Sequence, residues 1–224
     1  MAVSIIIPTL NEESCLEPTL RCLATHHPHE VLVVDGGSTD ATRAIAARCA
    51  RLLDAPPGRA TQMNHGAAHA TGDVLLFLHA DCLLEPRALD TAVRTLRRPG
   101  IAAGCFRMTV DAPGALYRLI GAAATARVRL AGLIYGDQGL FVKRELFQRV
   151  GGFPPLRFLE DVFISRALRR QGRLVVAPRR ILVSARRWRQ RGVVKQTLRN
   201  WTLTALALAG VHPDRLAGYY PSVR

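Results

Sequence analysis

Three polar clusters stand out along the 224 residues, because each follows directly on an apolar run. They are Pro8-Thr9-Leu10-Asn11-Glu12-Glu13, then Asp35-Gly36-Gly37-Ser38-Thr39-Asp40, then His79-Ala80-Asp81. Carboxylates gathered from three such loops suit a divalent cation, which prefers oxygen ligands, and a phosphorylated ligand held through it. Other phosphate cradles are missing. Gly36-Gly37 is not G-x-G-x-x-G, the first cluster has no glycine, and no G-x-x-x-x-G-K-[ST] loop occurs. A metal on Asp81 would supply the cradle instead.

The runs ahead of these clusters explain how they come together. Val3 to Ile7, Val31 to Val34 and Val74 to Leu78 are short, nearly unbroken apolar stretches, as in strands buried on both faces of a parallel sheet. Between them Ile45, Cys49 and Leu52, and then Leu89, Ala92, Val93 and Leu96, recur at helical spacing. Strands alternating with helices predict an α/β fold, a mostly parallel central sheet with helices on both faces. Ligands of such sheets bind in the crevice beyond the carboxyl ends of the strands, where the three clusters fall. Farther on, Cys105 to Val110, Gln138 to Val142, Leu174 to Val176 and Ile181 to Val183 read as strands. Helices are expected from Leu116 to Leu130, from Glu160 to Arg170 and from about Val193 to Ala209. No repeat or linker divides the chain, so one domain over residues 1–224 is expected.

Composition narrows the class. With 49% hydrophobic and 21% charged residues, the chain has material for a sizeable core, which excludes a disordered tail or a small disulfide scaffold. The net charge of +14 is unevenly spread: residues 162–224 hold 14 basic side chains against the single acid Asp214. Five cysteines, an odd number with no C-x-x-C pair and mostly within apolar runs, read as buried reduced thiols of a cytoplasmic protein. Val3 to Ile7 is too short for a signal-peptide core, and Leu203 to Val211 falls short of the roughly 20 residues that span a bilayer.

Taken in order, Ser4 to Glu13, Val34 to Asp40, Asp81 and Glu160-Asp161 resemble the family 2 glycosyltransferases of the GT-A fold, over roughly residues 3–170. Gly58 to Asn64 and Tyr135 to Gly139 resemble a small single-domain branch labelled arsenosugar-biosynthesis glycosyltransferases. The resemblance implies an inverting, non-processive transfer of one sugar from a nucleotide-sugar, commonly a UDP-sugar, to an acceptor hydroxyl. Pro8, Thr9, Glu12, Gly37 and Ser38 would border the nucleotide, with Asp35 on its base. Arg59 and Asn64 would lie near the diphosphate, with His79 and Ala80 beside it, and Asp81 would hold Mn²⁺ or Mg²⁺. Asp161 would be the catalytic base, paired with Glu160. Asp137, Gln138, Arg187 and Trp188 would line the acceptor side. Two departures stand out. The family's D-x-D reads His79-Ala80-Asp81, which weakens the expectation of a metal. The Q-x-x-R-W of processive members reads Ser184-Ala185-Arg186-Arg187-Trp188, which argues against polymer synthesis.

Plainer readings stand beside these. A helix cap is the leading reading for Asp40 and the lesser one for Asp35; Glu160 and Asp161 also fit as complements to a helix dipole, Glu160 more readily than Asp161, and Asp81 as a turn residue is the lesser reading. His65 and His69, four apart with no third ligand near, fit a helix surface. Asp137 and Gln138 fit the end of a strand. The basic segment at about 186–224 fits a solvated face, an anionic membrane surface, or an anionic substrate. Nucleic acid is not expected, since no stacking platform accompanies the charge. The rival functions are a sugar-phosphate nucleotidyltransferase, which releases pyrophosphate, and a non-catalytic anionic-surface binder.

Overall fold

The computed structural model describes residues 1–219, so the last five residues of the basic segment lie outside the described part. The first half runs β1 (Val3–Thr9), α1 (Glu13–Ala24), β2 (Glu30–Asp35), α2 (Thr42–Cys49), β3 (Arg51–Asp54), α3 (Arg59–His69) and β4 (Val74–Phe77). Then come β5 (Cys82–Leu84), α4 (Ala88–Leu96), β6 (Ile101–Asp111), α5 (Ala115–Ala131), a 3-10 turn (Gly136–Gln138) and β7 (Leu140–Lys143). The rest is α6 (Arg144–Arg149), α7 (Glu160–Arg169), β8 (Arg173–Ser184), α8 (Arg186–Arg191), α9 (Val193–Leu208) and α10 (Pro213–Ala217).

Eight strands form one sheet in the order β3-β2-β1-β4-β7-β6-β8-β5. The first four are mutually parallel, as are β6 and β8, while β7 and β5 run antiparallel to their neighbours. Strand alternation sends Ile5, Ile7, Val33 and Leu76 to one face, where Leu16, Leu20 and Leu23 of α1 and Leu89, Ala92 and Leu96 of α4 cover them. It sends Ile6, Leu32, Val34 and Leu75 to the other, against Ala60, Met63 and Ala67 of α3 and Ile164 and Leu168 of α7. Burying each such side chain contributes about 1.5–3 kcal/mol. Gly66 lets α3 sit close on the sheet: a Cβ there would lie 2.5 Å from Ile6 and 2.9 Å from Val34. A third, smaller cluster of Leu133, Phe158, Leu159, Val162, Leu203, Ala207 and Leu216 fastens α9 and α10 to the body.

Three sequence expectations need correction, and one strand escaped the sequence. Leu52 does not continue the helix of Ile45 and Cys49: α2 ends at Cys49 and Leu52 lies in β3, half-buried at the sheet edge. The strand β5, three residues long, carries no alternation to read. The two short strands after residue 173 are one strand, interrupted where the pairing with β6 jumps from Ala177 to Arg180. Pro178, which has no N–H to give a ladder, falls inside that jump. The thiols are free, as expected, but only Cys82 and Cys105 are buried; Cys15 and Cys22 are half-buried and Cys49 is exposed.

Candidate active site

The polar clusters leave the carboxyl ends of β1, β2 and β4 side by side. At the β1–β2 end the Asp35 carboxylate is fully buried. Its Oδ1 accepts from Thr9 Oγ1 (3.1 Å) and Ser38 Oγ (2.5 Å), and its Oδ2 from the N–H groups of Gly37 (3.0 Å) and Ser38 (2.8 Å). Arg43 adds an ion pair at 3.2 Å. Burial by itself would raise this carboxyl's pKa, but these hydrogen bonds hold it below the ordinary range. Asp35 thereby shapes the Gly36–Ser38 turn. Asn11, in the left-handed region at φ 56°, closes the adjoining loop by receiving the Thr39 N–H at 2.9 Å. Asp40 stands one residue before the N-cap, Ala41, and accepts from the Thr42 N–H at 2.9 Å and the Glu13 N–H at 3.2 Å, tying the start of α2 to that of α1.

A second set of residues forms a crevice beyond β4. Arg59, His79, Asp81, Gly136, Asp137, Asp161, Arg187 and Trp188 line it, with Tyr135, Phe158, Asn200 and Thr204. His79 Nε2 lies against Gly136, where a Cβ would come within 2.6 Å of it and within 3.6 Å of Asp161 Oδ2. Burial, together with the nearby Arg59 charge, lowers the His79 imidazole to about 4. Asp161 is anchored at both oxygens: Oδ2 accepts from Gly136 N (2.7 Å) and Oδ1 from Val162 N (2.7 Å). Ser165, receiving from Ile134 N (3.0 Å) and donating to the Asp161 carbonyl (2.7 Å), fixes the 134–137 segment to α7. The residue ahead of this acidic pair, Leu159, is held at φ 61° by its place in the third core cluster. A non-glycine residue in that region costs roughly 1–2 kcal/mol.

Glu160 and Asp161 part company here. Glu160, 3% exposed, turns away from the crevice and pairs with Arg59 Nε at 3.1 Å. Its burial raises the carboxyl's pKa, outweighing the Arg59 charge that lowers it. On the opposite wall, burial also raises Asp137, against the pull of Arg127. Asp137 Oδ1 and Trp188 Nε1 are both buried without a hydrogen-bond partner among the described residues. They are an acceptor and a donor on one wall, suited to a polyhydroxylated ligand. Glu12 pairs with Arg186 of α8 at 3.0 Å, and burial raises its carboxyl despite that cation.

Not every expected residue reaches the crevice. The Asn64 amide clamps the backbone of Phe153 instead, donating to its carbonyl (2.8 Å) and receiving its N–H (2.9 Å). Ala80 packs into the core, with its carbonyl receiving Thr19 Oγ1 at 2.6 Å. Gln138 is buried behind the wall, where its Oε1 accepts from Arg127 (2.6 Å) and from the Tyr135 N–H (3.3 Å). Pro8, Thr9, Gly37 and Ser38 stay at the β1–β2 end.

Among the described residues no group of three or more His, Cys, Asp or Glu side chains is arranged to hold a metal alone. Asp81 and the neutral His79 nonetheless line one crevice, an oxygen and a nitrogen donor whose set a ligand's phosphate oxygens would complete. That donor set fits Mn²⁺ or Mg²⁺, carboxylate being the harder ligand of the two.

Residues 4–158 match the model of the family described as glycosyl transferase family 2. The chain belongs to that family. Among its relatives are the glycosyltransferase AglE of Haloferax volcanii, 27% identical over 169 residues, and the uncharacterised glycosyltransferase Rv1514c of Mycobacterium tuberculosis, 32% identical over 162 residues. The alignments cover 68% and 67% of this chain but 56% and 62% of those proteins, so the chain spans under two-thirds of the relatives' length. The fold matches the mannosyltransferase PcManGT of Pyrobaculum calidifontis, solved with GDP-Man and Mn²⁺, at a TM-score of 0.71 and 24% identity over 96% of this chain and 67% of that one. It also matches TarS of S. aureus with UDP-GlcNAc at a TM-score of 0.63 and 19% identity, covering 82% and 58%. The architecture is therefore the GT-A fold.

Within this family 2 site, sequence reasoning missed two positioning residues. Gln62, 3% exposed, donates through Nε2 to the carbonyls of Thr9 (2.7 Å) and Val34 (2.8 Å), stapling the ends of β1 and β2. Gly136 permits the contact with His79. Each lies in a segment whose motif was recognised, but a buried amide and a tight approach have no spacing signature.

Proposed function

We propose that this chain is an inverting, metal-dependent glycosyltransferase that moves one sugar from a nucleotide-sugar, a UDP-sugar first among candidates, to an acceptor hydroxyl. The observation that carries the reading is the crevice itself, where Asp81, Arg59 and Asp161 meet beyond the carboxyl ends of the parallel strands of a family 2 chain. Complexes of the fold's neighbours with GDP-Man and Mn²⁺, or with UDP-GlcNAc, support the donor class.

In this reading the β1–β2 end, with Thr9, Asp35 and Ser38, borders the base, and Arg59, held by Glu160, meets the diphosphate. Asp81, with His79 beside it, would hold the divalent cation, which would offset charge on the departing nucleoside diphosphate, an effect worth several kcal/mol. Asp161 receives the proton of the attacking hydroxyl, its oxygens aimed by the Gly136 and Val162 N–H groups. General-base assistance of this kind contributes about 10²–10⁴-fold. Asp137 Oδ1 and the Trp188 indole N–H orient the acceptor, with Arg187 beside them and Gln138 supporting the wall. One displacement inverts the anomeric centre. Ser184 in place of the glutamine of Q-x-x-R-W fits a single transfer over processive synthesis.

The test is a thermal-shift panel of nucleoside diphosphates and nucleotide-sugars, with and without Mn²⁺, on wild type and Asp81→Ala, since a ligand of the native state raises the melting temperature. A stabilising nucleotide that needs both Mn²⁺ and Asp81 is expected. With that donor, Asp161→Asn should stop release of nucleoside diphosphate while keeping the shift. Release of pyrophosphate, or normal turnover by Asp161→Asn, overturns the assignment.

A further inference from the structure

The helices α5 and α9 pack against each other, and the groove between them is lined by Ile120, Ala123 and Arg127 on one side and Thr197, Asn200 and Trp201 on the other. Beyond the groove both helices present unpartnered apolar side chains to solvent. On α5 these are Leu116, Leu119 and Leu130, the last two 63% and 81% exposed. On α9 Val194, Leu198, Trp201 and Leu208 share one side, with Trp201 49% exposed, while the exposed Leu206 stands apart from them. At about 100° per residue, each set forms one stripe beside its helix's groove-lining row. The two stripes therefore flank the same groove.

The charge these two helices and α8 carry has one sign, the half-buried Asp137 of the groove lying outside them. Residues 115–131 and 186–208 together hold nine basic side chains and no acidic one. At the end of the stripes, beside Leu208 and Ala131, a hollow is lined by Arg166, Arg169 and Arg170. An apolar stripe bordered by arginines matches the layered chemistry of a bilayer surface: acyl chains within, anionic headgroups around. A second copy of the chain would set two positive rims against each other across a two-fold axis. A nucleic acid would leave the leucines without partners.

We propose that the α5–α9 face docks on an anionic lipid bilayer, with the stripes inserted at the headgroup boundary and the Arg166, Arg169 and Arg170 hollow taking headgroup phosphate. The groove shares Tyr135, Asp137, Trp188 and Asn200 with the crevice, so docking would set the crevice's inner wall toward the membrane. That last consequence rests on the transferase reading; the docking itself does not.

The experiment is sedimentation with phosphatidylcholine vesicles, with and without phosphatidylglycerol, at low and high salt. It is run on wild type, on Leu119→Ser/Leu198→Ser/Trp201→Ser and on Arg166→Gln/Arg170→Gln. Wild type should bind only the anionic vesicles; the apolar variant should bind at least ~10-fold less, and the arginine variant about fivefold less per charge removed. An unchanged nucleotide thermal shift in both variants separates failed docking from a failed donor site. Should the apolar variant not fold, wild-type fluorescence decides, because brominated lipid in the anionic vesicles should quench Trp201. Equal binding to both vesicle types, undiminished binding by the apolar variant, or no quenching overturns the proposal. So does a dimer in light scattering that the apolar variant dissolves, which would give this face to a second copy.

Discussion

Removing Arg59 should destabilise the fold more at neutral pH than in acid, and the size of the effect follows from the pair it belongs to. Glu160 is 3% exposed and receives Arg59 at 3.1 Å. Truncating one partner of a buried ion pair costs about 3–5 kcal/mol, because the other charge is left without compensation. Arg59 is itself 35% exposed, so water already screens part of the attraction and about 2–3 kcal/mol is the better figure. In a chain of this length that is about 5–10 °C of melting temperature. Burial already raises the Glu160 carboxyl above its ordinary pKa with Arg59 in place, and losing the cation raises it further. A carboxyl raised in the folded state holds its proton better folded than unfolded. Its contribution is fully present below the unfolded pKa and is lost as pH rises through the folded value. The deficit of Arg59→Ala should therefore shrink as the pH falls from neutral toward the ordinary carboxylate range, and Glu160→Gln in the Arg59→Ala background should recover most of it at the higher pH. Thermal unfolding of the three variants at neutral and at acid pH is the assay. Equal deficits at both, with no recovery by Glu160→Gln, would refute the reasoning.

Other substitutions probe the site's supports. Gly136→Ala should lower kcat about 10²-fold and also shrink the Mn²⁺-dependent nucleotide thermal shift, since its methyl would displace His79 and, with it, the segment aiming Asp161. Gln62→Leu should cost about 1–3 kcal/mol in urea unfolding: the Thr9 and Val34 carbonyls each lose one donor but keep the Gly36 N–H and the Thr9 hydroxyl. It should also weaken nucleotide binding by loosening the β1–β2 end. Under native conditions a thiol reagent should label Cys49 first; Cys82 and Cys105, buried and with pKa values raised by that burial, should react only on unfolding.

The strands that hold the site were legible because β1, β2 and β4 are covered on both faces, and a fully buried strand must be apolar throughout. Edge strands escape that logic. Leu52 and Leu53 of β3 are only half-buried, and the spacing of Leu52 from Ile45 and Cys49 passed for the end of a helix. Motif order located Asp35, Asp81 and Asp161, but not the division of labour inside the acidic pair. Only the turn at Leu159 decides that Glu160 points back to Arg59 while Asp161 meets the crevice. Asn64 shows the opposite failure: its motif neighbours suggested the diphosphate, whereas its amide is spent on Phe153. Side-chain direction at a helix start depends on what packs beneath it, which no spacing rule encodes.

The pairing of β5 with β8 has a consequence during synthesis. Cys82 to Leu84 find their partners at Ile181 to Val183, and Glu12 meets Arg186 across 174 positions of sequence. Contacts of such separation make folding slow, because long loops must close before the pairing stabilises them. A nascent chain that has emerged through β6 therefore carries open strand edges until β8 arrives, the state in which strands misassociate. The crevice, walled by residues from Arg59 to Thr204 with Val183 and Ser184 of β8 among them, forms at that same late step. Nucleotide binding should thus report a finished fold, and chains truncated before β8 should aggregate rather than persist as a smaller donor-binding unit.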